Sequence, residues 1–263
     1  TQGMTTPIPC ESIGGAHQHL DEETFAAFVE RNLAALPLDG KKVVLVVPDG
    51  TRSMPLPMVM RHVHAALAPR VGSLTAVIAL GTHSYMEPEE IDRMFGVGGP
   101  GQPATLAEAY PGTTVVNHEW QDPMMIVKVG TLDAATIKEL SEGTQEVAVD
   151  VEINRHVVEA DYDIVIGPVF PHEVVGISGG NKYFIPGCAT HDAIDLSHWV
   201  GALYGVEKVI GTLGVTPMRA IINAGSALIP AERLALCLVV ESGSGELEAA
   251  AFGTSEDAWA AMA

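Results

Sequence analysis

The chain has 263 residues and is 47% hydrophobic, which indicates one large or two small domains with a well-packed core. A formal net charge of −19 without any basic cluster argues against nucleic acid and anionic membrane surfaces as partners. No apolar run approaches the roughly 18 residues of a membrane span, and no signal peptide is evident. Three cysteines without CxxC spacing are typical of thiols in a reducing cytosol, so we expect a cytoplasmic protein.

Strands and helices are predicted to alternate along most of the chain. Helical periodicity begins at Asp21, and further helices are predicted from Pro55, from Glu87 and over 134–140. Residues 127–129 and 146–153 are predicted to be antiparallel additions. The apolar runs that predict buried strands are 42–48, 74–80, 113–117, 163–170, 221–224 and 234–240, the last as an edge pair.

This alternation predicts an α/β fold. A mainly parallel, twisted sheet with right-handed crossovers and helices on both faces is expected, in a Rossmann-like layered domain. The carboxyl ends of parallel strands meet at one edge of the sheet, and ligands bind there. Polar residues that follow strands are therefore the candidates for a functional site.

Asp49, Thr51 and Arg52 follow the first of these strands. An arginine fork recognises phosphate or carboxylate, and a threonine and the N–H groups of a helix start add donors. The same residues also fit a helix N-cap by Asp49 or Thr51 beside a surface arginine. The local pattern leaves both interpretations open.

His83 follows the next strand, after Gly81 and Thr82. A histidine at a strand end can be an acid/base or a ligand, or a structural residue that is simply hydrogen-bonded. His118 follows the third strand and offers the same choice with less support from its neighbours.

The densest group of candidates follows the strand over 163–170. His172 leaves that strand, and Lys182 comes ten residues later, beside an apolar segment. A lysine desolvated there favours the neutral, nucleophilic amine, although a solvent-exposed lysine fits the local pattern equally well. His198, sixteen residues further on, can face back as a metal ligand, but its spacing matches no zinc helix motif.

A glycine turn lies between this histidine and this lysine. The turn is Ser178-Gly179-Gly180, and glycines in such a place let backbone amides approach a phosphate or a cofactor closely. The chain contains neither the GxxxxGK[ST] nor the GxGxxG phosphate-binding pattern. The turn is thus a candidate binding element without a recognised fingerprint.

In this order, the motifs resemble the N-terminal domain of the nickel-dependent lactate racemase family. The resemblance covers about residues 40 to 240. It rests on Pro48-Asp49-Gly50-Thr51-Arg52, Gly81-Thr82-His83, Pro171-His172, Gly176, Ser178-Gly179-Gly180-Asn181-Lys182, Pro186-Gly187 and His198.

The resemblance implies a nickel-pincer nucleotide, in which a pyridinium-3,5-bisthiocarboxylic acid mononucleotide holds nickel between two sulfur-bearing arms. It implies that Lys182 is joined to this cofactor as a thioamide and that His198 is the nickel ligand. His83 and His172 would be the paired acid/base histidines. The cofactor-binding set is completed by Asp49, Thr51, Arg52, Ser178, Gly179 and Gly180, of which Asp49, Thr51 and Arg52 would lie at the cofactor phosphate or the substrate carboxylate.

The implied enzyme is an isomerase that racemises or epimerises 2-hydroxy acids by abstracting and returning a hydride. The C2 proton of such an acid is weakly acidic, so its removal by histidine is unfavourable near neutral pH, whereas hydride removal needs a cofactor as electron sink. The planar keto acid receives hydride on either face, so racemisation needs two bases. Ser84 and Asn181 stand where the family often has arginine, so the resemblance does not identify the particular acid.

We interpret residues 1–4 as a tag remnant and residues 5–245 as the cofactor-binding domain. Because the family carries a second domain that closes over the cofactor, residues 246–263 are interpreted as a linker and the start of that absent domain. The isolated domain can then be inactive. Expected partners are the 2-hydroxy acid, the cofactor-synthesis enzymes and a second copy of the chain. The alternatives are a non-catalytic homologue that binds the cofactor or an anion, and an unrelated histidine-based metal hydrolase.

Overall fold

A computed structural model of the chain describes residues 7–192 and 209–263. Its central sheet has seven strands in the order β1-β11-β10-β7-β2-β3-β4. The strands are β1 (Glu11–Gly14), β2 (Lys42–Pro48), β3 (Ser73–Ala79), β4 (Thr113–Asn117), β5 (Ile126–Leu132), β6 (Val149–Asn154), β7 (Tyr162–Pro168), β8 (Pro171–His172), β9 (Gly176–Ile177), β10 (Glu232–Val240) and β11 (Leu247–Thr254).

Eight α-helices lie within the described residues, and none of these is both long and apolar enough to cross a bilayer. They are α1 (Glu22–Ala34), α2 (Leu56–Leu67), α3 (Pro88–Met94), α4 (Leu106–Ala109), α5 (Ala134–Leu140), α6 (Arg155–Val158), α7 (Pro217–Ser226) and α8 (Ser255–Met262). Most begin at a side-chain cap. Asp21, for example, accepts a hydrogen bond from the Thr24 N–H at the start of α1 (2.8 Å).

The strands at the centre of the sheet are buried on both faces, as their continuous apolar runs require. In β2, Val43, Leu45 and Val47 pack into one core with α1 and α2, while Val44 and Val46 pack into a second core on the opposite face. Side chains of α5, α7 and α8 contribute to this second core. The predicted α/β class with helices on both faces is confirmed.

Strands β10, β7, β2, β3 and β4 run parallel, whereas β11 pairs antiparallel with β10 and β1 pairs antiparallel with β11. From β2 the chain crosses to β3 and then β4 on one side, while β7 and β10 lie on the other side. The order of strands therefore reverses between β2 and β7. A crevice outside the carboxyl ends of strands at such a reversal is the usual ligand site of an open α/β sheet.

One strand predicted in the C-terminal part is absent, and another is present but not at the expected position. Residues 221–224, predicted as a strand, lie in helix α7, which Thr216 caps and Pro217 begins. The buried residues Met218, Ile221, Ile222 and Gly225 recur at helical spacing, a signal that the short apolar run obscured. Strand β10 was expected at an edge but lies inside the sheet, between β7 and β11.

The segment interpreted as a linker has regular structure at this sheet. Residues 241–246 connect β10 to β11, which pairs with β10 on one side and β1 on the other. Helix α8 then packs against β10 and β11. The boundary of a further domain near residue 246 stays a prediction.

Candidate functional site

A cavity of about 240 Å³ opens at the strand-order reversal between β2 and β7. Its lining includes residues that follow β2, β3 and β7, together with the segment after β9. The predicted site residues that line it are Asp49, Arg52, His83, His172, Ser178 and Lys182. Folding thus brings together side chains from four separate segments of the chain.

Asp49 and His83 form what we call the open wall of the cavity. The Asp49 carboxylate lies 3.2 Å from Nδ1 of His83, whose side chain is 71% exposed. Burial alone would raise the pKa of Asp49, but hydrogen bonds from Thr51 and His83 outweigh it and hold this pKa below its usual value. An ionised carboxylate at Nδ1 favours the tautomer with Nδ1 protonated, which leaves Nε2 free to accept a proton.

His172 and Lys182 form the buried wall. The Val174 N–H donates to Nδ1 of His172 (3.0 Å), so the neutral ring carries its proton on Nε2. The Glu173 carboxylate lies 3.8 Å from the same Nδ1. Burial, and after it the positive charge of Lys182, lowers the pKa of His172 to about 4. The ring is therefore neutral at pH 7.

The Lys182 side chain is partly buried, and its amine has no hydrogen bond or ion pair with any residue that the structure describes. Burial, followed by the positive charges of Arg52 and Arg219, lowers the pKa of Lys182 to about 8. With such a pKa, roughly a tenth of the amine is uncharged and nucleophilic at pH 7. The desolvated lysine predicted from the apolar Tyr183–Ile185 segment fits this environment.

Arg52 lies between the two walls. Its guanidinium stacks over the Phe170 ring, 5.1 Å from the centroid, and it makes no ion pair with a described carboxylate. An arginine that is held flat and without a carboxylate partner is suited to bind a phosphate or a carboxylate of a ligand.

Gly179 and Gly180 shape the turn before Lys182 but are not among the described residues that line the cavity. Their φ angles are 88° and 58°, in the left-handed region that favours glycine. A Cβ on Gly179 would lie 2.7 Å from Val169, and one on Gly180 would lie 2.8 Å from Trp259. Both glycines are therefore required by the backbone path and close packing.

Two other predicted residues, Thr51 and His118, are placed differently. Thr51 donates to Asp49 and lines a neighbouring groove instead of the cavity. His118 is fully buried, with Nε2 bonded to the Ala189 carbonyl and Nδ1 to Asn154, and burial lowers its pKa, so it is a structural histidine. His198 lies outside the described residues.

Two residues that sequence reasoning missed hold the turn before Lys182. Arg219, on α7, donates to the carbonyls of Gly179 (2.9 Å) and Ile177. Trp259, on α8, donates from its indole N–H to the Ser178 carbonyl (2.8 Å). An arginine on the apolar face of a predicted helix indicates a buried cation. This pattern was not recognised because residues 221–224 were predicted as a strand.

Asn181 also holds this turn, through hydrogen bonds of its side chain. Its side-chain oxygen accepts from Arg233 (3.0 Å) and Ser255 (2.6 Å), and its amide donates to Asn223 and Glu256. All of these partners come from β10, α7 and α8. The residue that stands where relatives often have arginine is thus fully engaged in the support of the turn.

Within residues 7–192 and 209–263, no three His, Cys, Asp or Glu side chains are grouped as a metal site would require. The described lining offers instead a lysine amine, an arginine, two histidines and a buried Tyr183 hydroxyl, together with the carboxylates of Asp49 and Glu173. No described group makes a hydrogen bond to that hydroxyl. Such a set is suited to an organic anion, with nitrogen groups for its charge and for proton transfer.

The model of the lactate racemase N-terminal domain family matches residues 21–209. The chain belongs to this family. The match contains every residue on which the sequence resemblance rested and stops before Arg219 and Trp259, so the two supports of the turn lie outside the matched region.

Relatives of the family are similar over part of their length. A lactate racemase from Thermoanaerobacterium thermosaccharolyticum is 26% identical over 165 residues, which are 61% of this chain and 33% of that protein. A crystal structure of a protein from Thermotoga maritima has 30% identity and a TM-score of 0.76, and the match covers 91% of this chain and 55% of that one.

The lactate racemase apoprotein from T. thermosaccharolyticum has the same fold, with a TM-score of 0.69, 22% identity, and coverage of 92% of this chain and 54% of that chain. This chain therefore spans about a third of the curated relative and about half of each solved chain. The curated relatives are lactate racemases, which are isomerases.

Proposed function

We propose that this chain is the cofactor-bearing domain of a racemase or epimerase of 2-hydroxy acids that uses a nickel-pincer nucleotide. The observation that carries the proposal is the convergence of Lys182, His83, His172 and Arg52 on one cavity. Membership of the lactate racemase N-terminal domain family supports the reaction class. We also propose that the protein is cytoplasmic and that the cofactor-synthesis enzymes are its partners.

The described residues fit such a cofactor. The Lys182 amine is unpaired among them and has a pKa of about 8, as a covalent tether would need. Arg52 is free to hold a phosphate, and the Tyr183 hydroxyl at the cavity wall is buried without a described partner. When bound, the cofactor would supply the electron sink for the hydride of the substrate C2. His198, proposed as the nickel ligand, lies outside the described residues.

The substrate carboxylate or the cofactor phosphate is proposed to bind at Arg52. The stack over Phe170 restricts the guanidinium, so less conformational freedom is lost when the anion binds. Asp49 does not compete for this arginine, because its carboxylate is bonded to Thr51 and His83. These contacts keep one cation available in a chain with a net charge of −19.

The two histidines are proposed to move the proton of the substrate hydroxyl. His83 has Asp49 at Nδ1, so its Nε2 is prepared to accept that proton. His172 has the Val174 N–H at Nδ1 and is therefore a donor at Nε2 in this arrangement. A movement of Glu173 from its present 3.8 Å toward Nδ1 would give His172 the accepting tautomer as well. Each histidine thus has a carboxylate available to make it a base.

Covalent attachment at Lys182 tests this proposal. The chain is produced beside the cofactor-synthesis enzymes, and its intact mass and metal content are measured. We expect a cofactor adduct and nickel in the wild type, and no adduct in Lys182→Ala. Lys41→Ala is the matched control, because Lys41 is an exposed lysine that directly precedes β2, whereas the cavity lies at the other end of this strand.

The outcomes separate the alternatives. An adduct that persists in Lys182→Ala contradicts the tether. An adduct on Lys182 with no racemisation of any 2-hydroxy acid favours a non-catalytic homologue that binds the cofactor. Zinc without an adduct favours a metal hydrolase.

A further inference from the structure

Arg219 is a buried cation without a described counter-ion. Only 1% of its surface is exposed, and no carboxylate within residues 7–192 and 209–263 pairs with it. Its guanidinium lies over the Trp259 ring, 4.3 Å from the centroid, and no described acceptor bonds its Nε. Burial of a charge without a counter-ion costs free energy, which the hydrogen bonds and the ring contact of Arg219 have to offset.

The contacts of Arg219 lead directly to Lys182. The Gly179 carbonyl accepts from Arg219 (2.9 Å) and also from the backbone N–H of Lys182 (3.3 Å). Arg219 also donates to the Ile177 carbonyl. One guanidinium therefore fixes two carbonyls of the turn, and one of these is bonded to the lysine itself.

We propose that Arg219 is a positioning residue for Lys182, which holds the Gly179 carbonyl so that the amine points into the cavity and which sets a fixed positive charge beside that amine. This inference rests on the proposed function, in which Lys182 has to be an uncharged nucleophile. Trp259 completes the support, since it closes one face of the guanidinium and binds the Ser178 carbonyl between the two carbonyls that Arg219 holds.

Charged groups from several elements act on Lys182. Arg52 and Arg219 disfavour the ammonium form, whereas Glu173 and Asp49 favour it, and His172 is neutral at pH 7. The two carboxylates differ in their freedom, because Asp49 is bonded to His83 while Glu173 is exposed. Burial lowers the pKa of Arg219 to about 10, so this arginine stays charged across the range in which Lys182 titrates.

The test uses the whole 263-residue chain without cofactor. Trace acetic anhydride labels uncharged amines, and the labelled fraction of each lysine is followed against pH by peptide mass spectrometry. Lys41 in the same digest is the internal reference. Exchange of the Lys182 backbone amide, which is bonded to Gly179, reports how firmly the turn is held.

Arg219→Gln removes the charge and keeps one donor, whereas Arg219→Lys keeps the charge and removes the fork. We expect the glutamine variant to shift the labelling midpoint of Lys182 upward and to reduce its labelling at pH 7 about threefold, which corresponds to about half a pKa unit. The lysine variant should keep the wild-type midpoint. Amide exchange at Lys182 should become about tenfold faster in both.

Arg233→Gln is the matched control. Arg233 supports the same turn through Asn181 but is not among the charges that act on Lys182. This variant should speed amide exchange without a change in the labelling midpoint. A folded Arg219→Gln protein with the wild-type midpoint and exchange rate would overturn the proposal. If that variant does not fold, unchanged exchange in Arg219→Lys overturns it.

The result is independent of the cofactor. Lack of an adduct in the wild type with a shifted midpoint in Arg219→Gln would contradict the proposed function and leave the role of Arg219 intact. A normal adduct in the wild type, with an unshifted labelling midpoint and unchanged amide exchange in Arg219→Gln, would support the proposed function and contradict the role of Arg219.

Discussion

In the open wall, Asp49 orients a histidine that is 71% exposed, and its partner Thr51 is two residues away. In the buried wall, the turn that carries Lys182 is held by Arg219 and Trp259, which lie 40 and 81 positions after the carbonyls they bind. The open wall thus combines a contact between residues two positions apart with one between residues 34 positions apart, at the ends of the neighbouring strands β2 and β3. The buried wall owes its geometry and its unusual proton affinities to distant residues that pack beneath it.

The largest expected effect concerns turnover. In cofactor-loaded protein, His83→Gln and His172→Gln should each lower kcat/KM for racemisation by about 10²–10⁴-fold, because each removes a group that is proposed to transfer the substrate proton. Nickel content should be unchanged in both. His19→Gln is the control, since His19 is exposed and remote from the cavity. Loss of nickel would assign a ligand role to the histidine concerned and break the comparison.

Substitution of Lys182 by an apolar residue should raise the stability of the fold. Its pKa of about 8 lies below the usual 10.5, so at pH 7 the fold bears a cost for burying an ammonium group. We expect Lys182→Met to raise the free energy of unfolding by on the order of 2 kcal/mol at pH 7. In the wild type this cost disappears as the pH rises from 8 to 10.5. Urea titrations at pH 7 and pH 10 measure it, and an equal loss of stability at both pH values would contradict it.

A further stability measurement distinguishes the two histidines. His172 has a pKa of about 4 against 6.5 in the unfolded chain, so its neutral form stabilises the fold fully above pH 6.5 and this stability is lost as the pH falls toward 4. His172→Gln should flatten that slope, by about 2–3 kcal/mol between pH 7 and pH 4. His83→Gln should change stability by less than about 0.5 kcal/mol, as for other exposed positions. If the free energy of unfolding depends equally on pH in both variants, the two walls do not differ in this respect.

Much of this architecture was predictable from sequence because its signals are local. Continuous apolar runs identified β2, β3, β4 and β7, and the polar residues after them, Asp49, His83 and His172, indeed meet at one edge of the sheet. Helix α7 was missed because a four-residue apolar run has no distinct period. The support by Arg219, Trp259 and Asn181 was not predictable, since it depends on contacts between residues 40 or more positions apart.

The pairing of the turn with α7 and α8 also determines the order of assembly. The carbonyl of Ser178 leaves the ribosome 81 residues before Trp259, an interval of roughly 4–16 s at ordinary synthesis rates. During that interval Lys182 is a solvated ammonium group of a nascent chain and a poor nucleophile. The supports of the turn that carries Lys182 are complete only when α8, which follows β10 and β11, has docked. In the proposed function, attachment of the cofactor therefore follows completion of the fold.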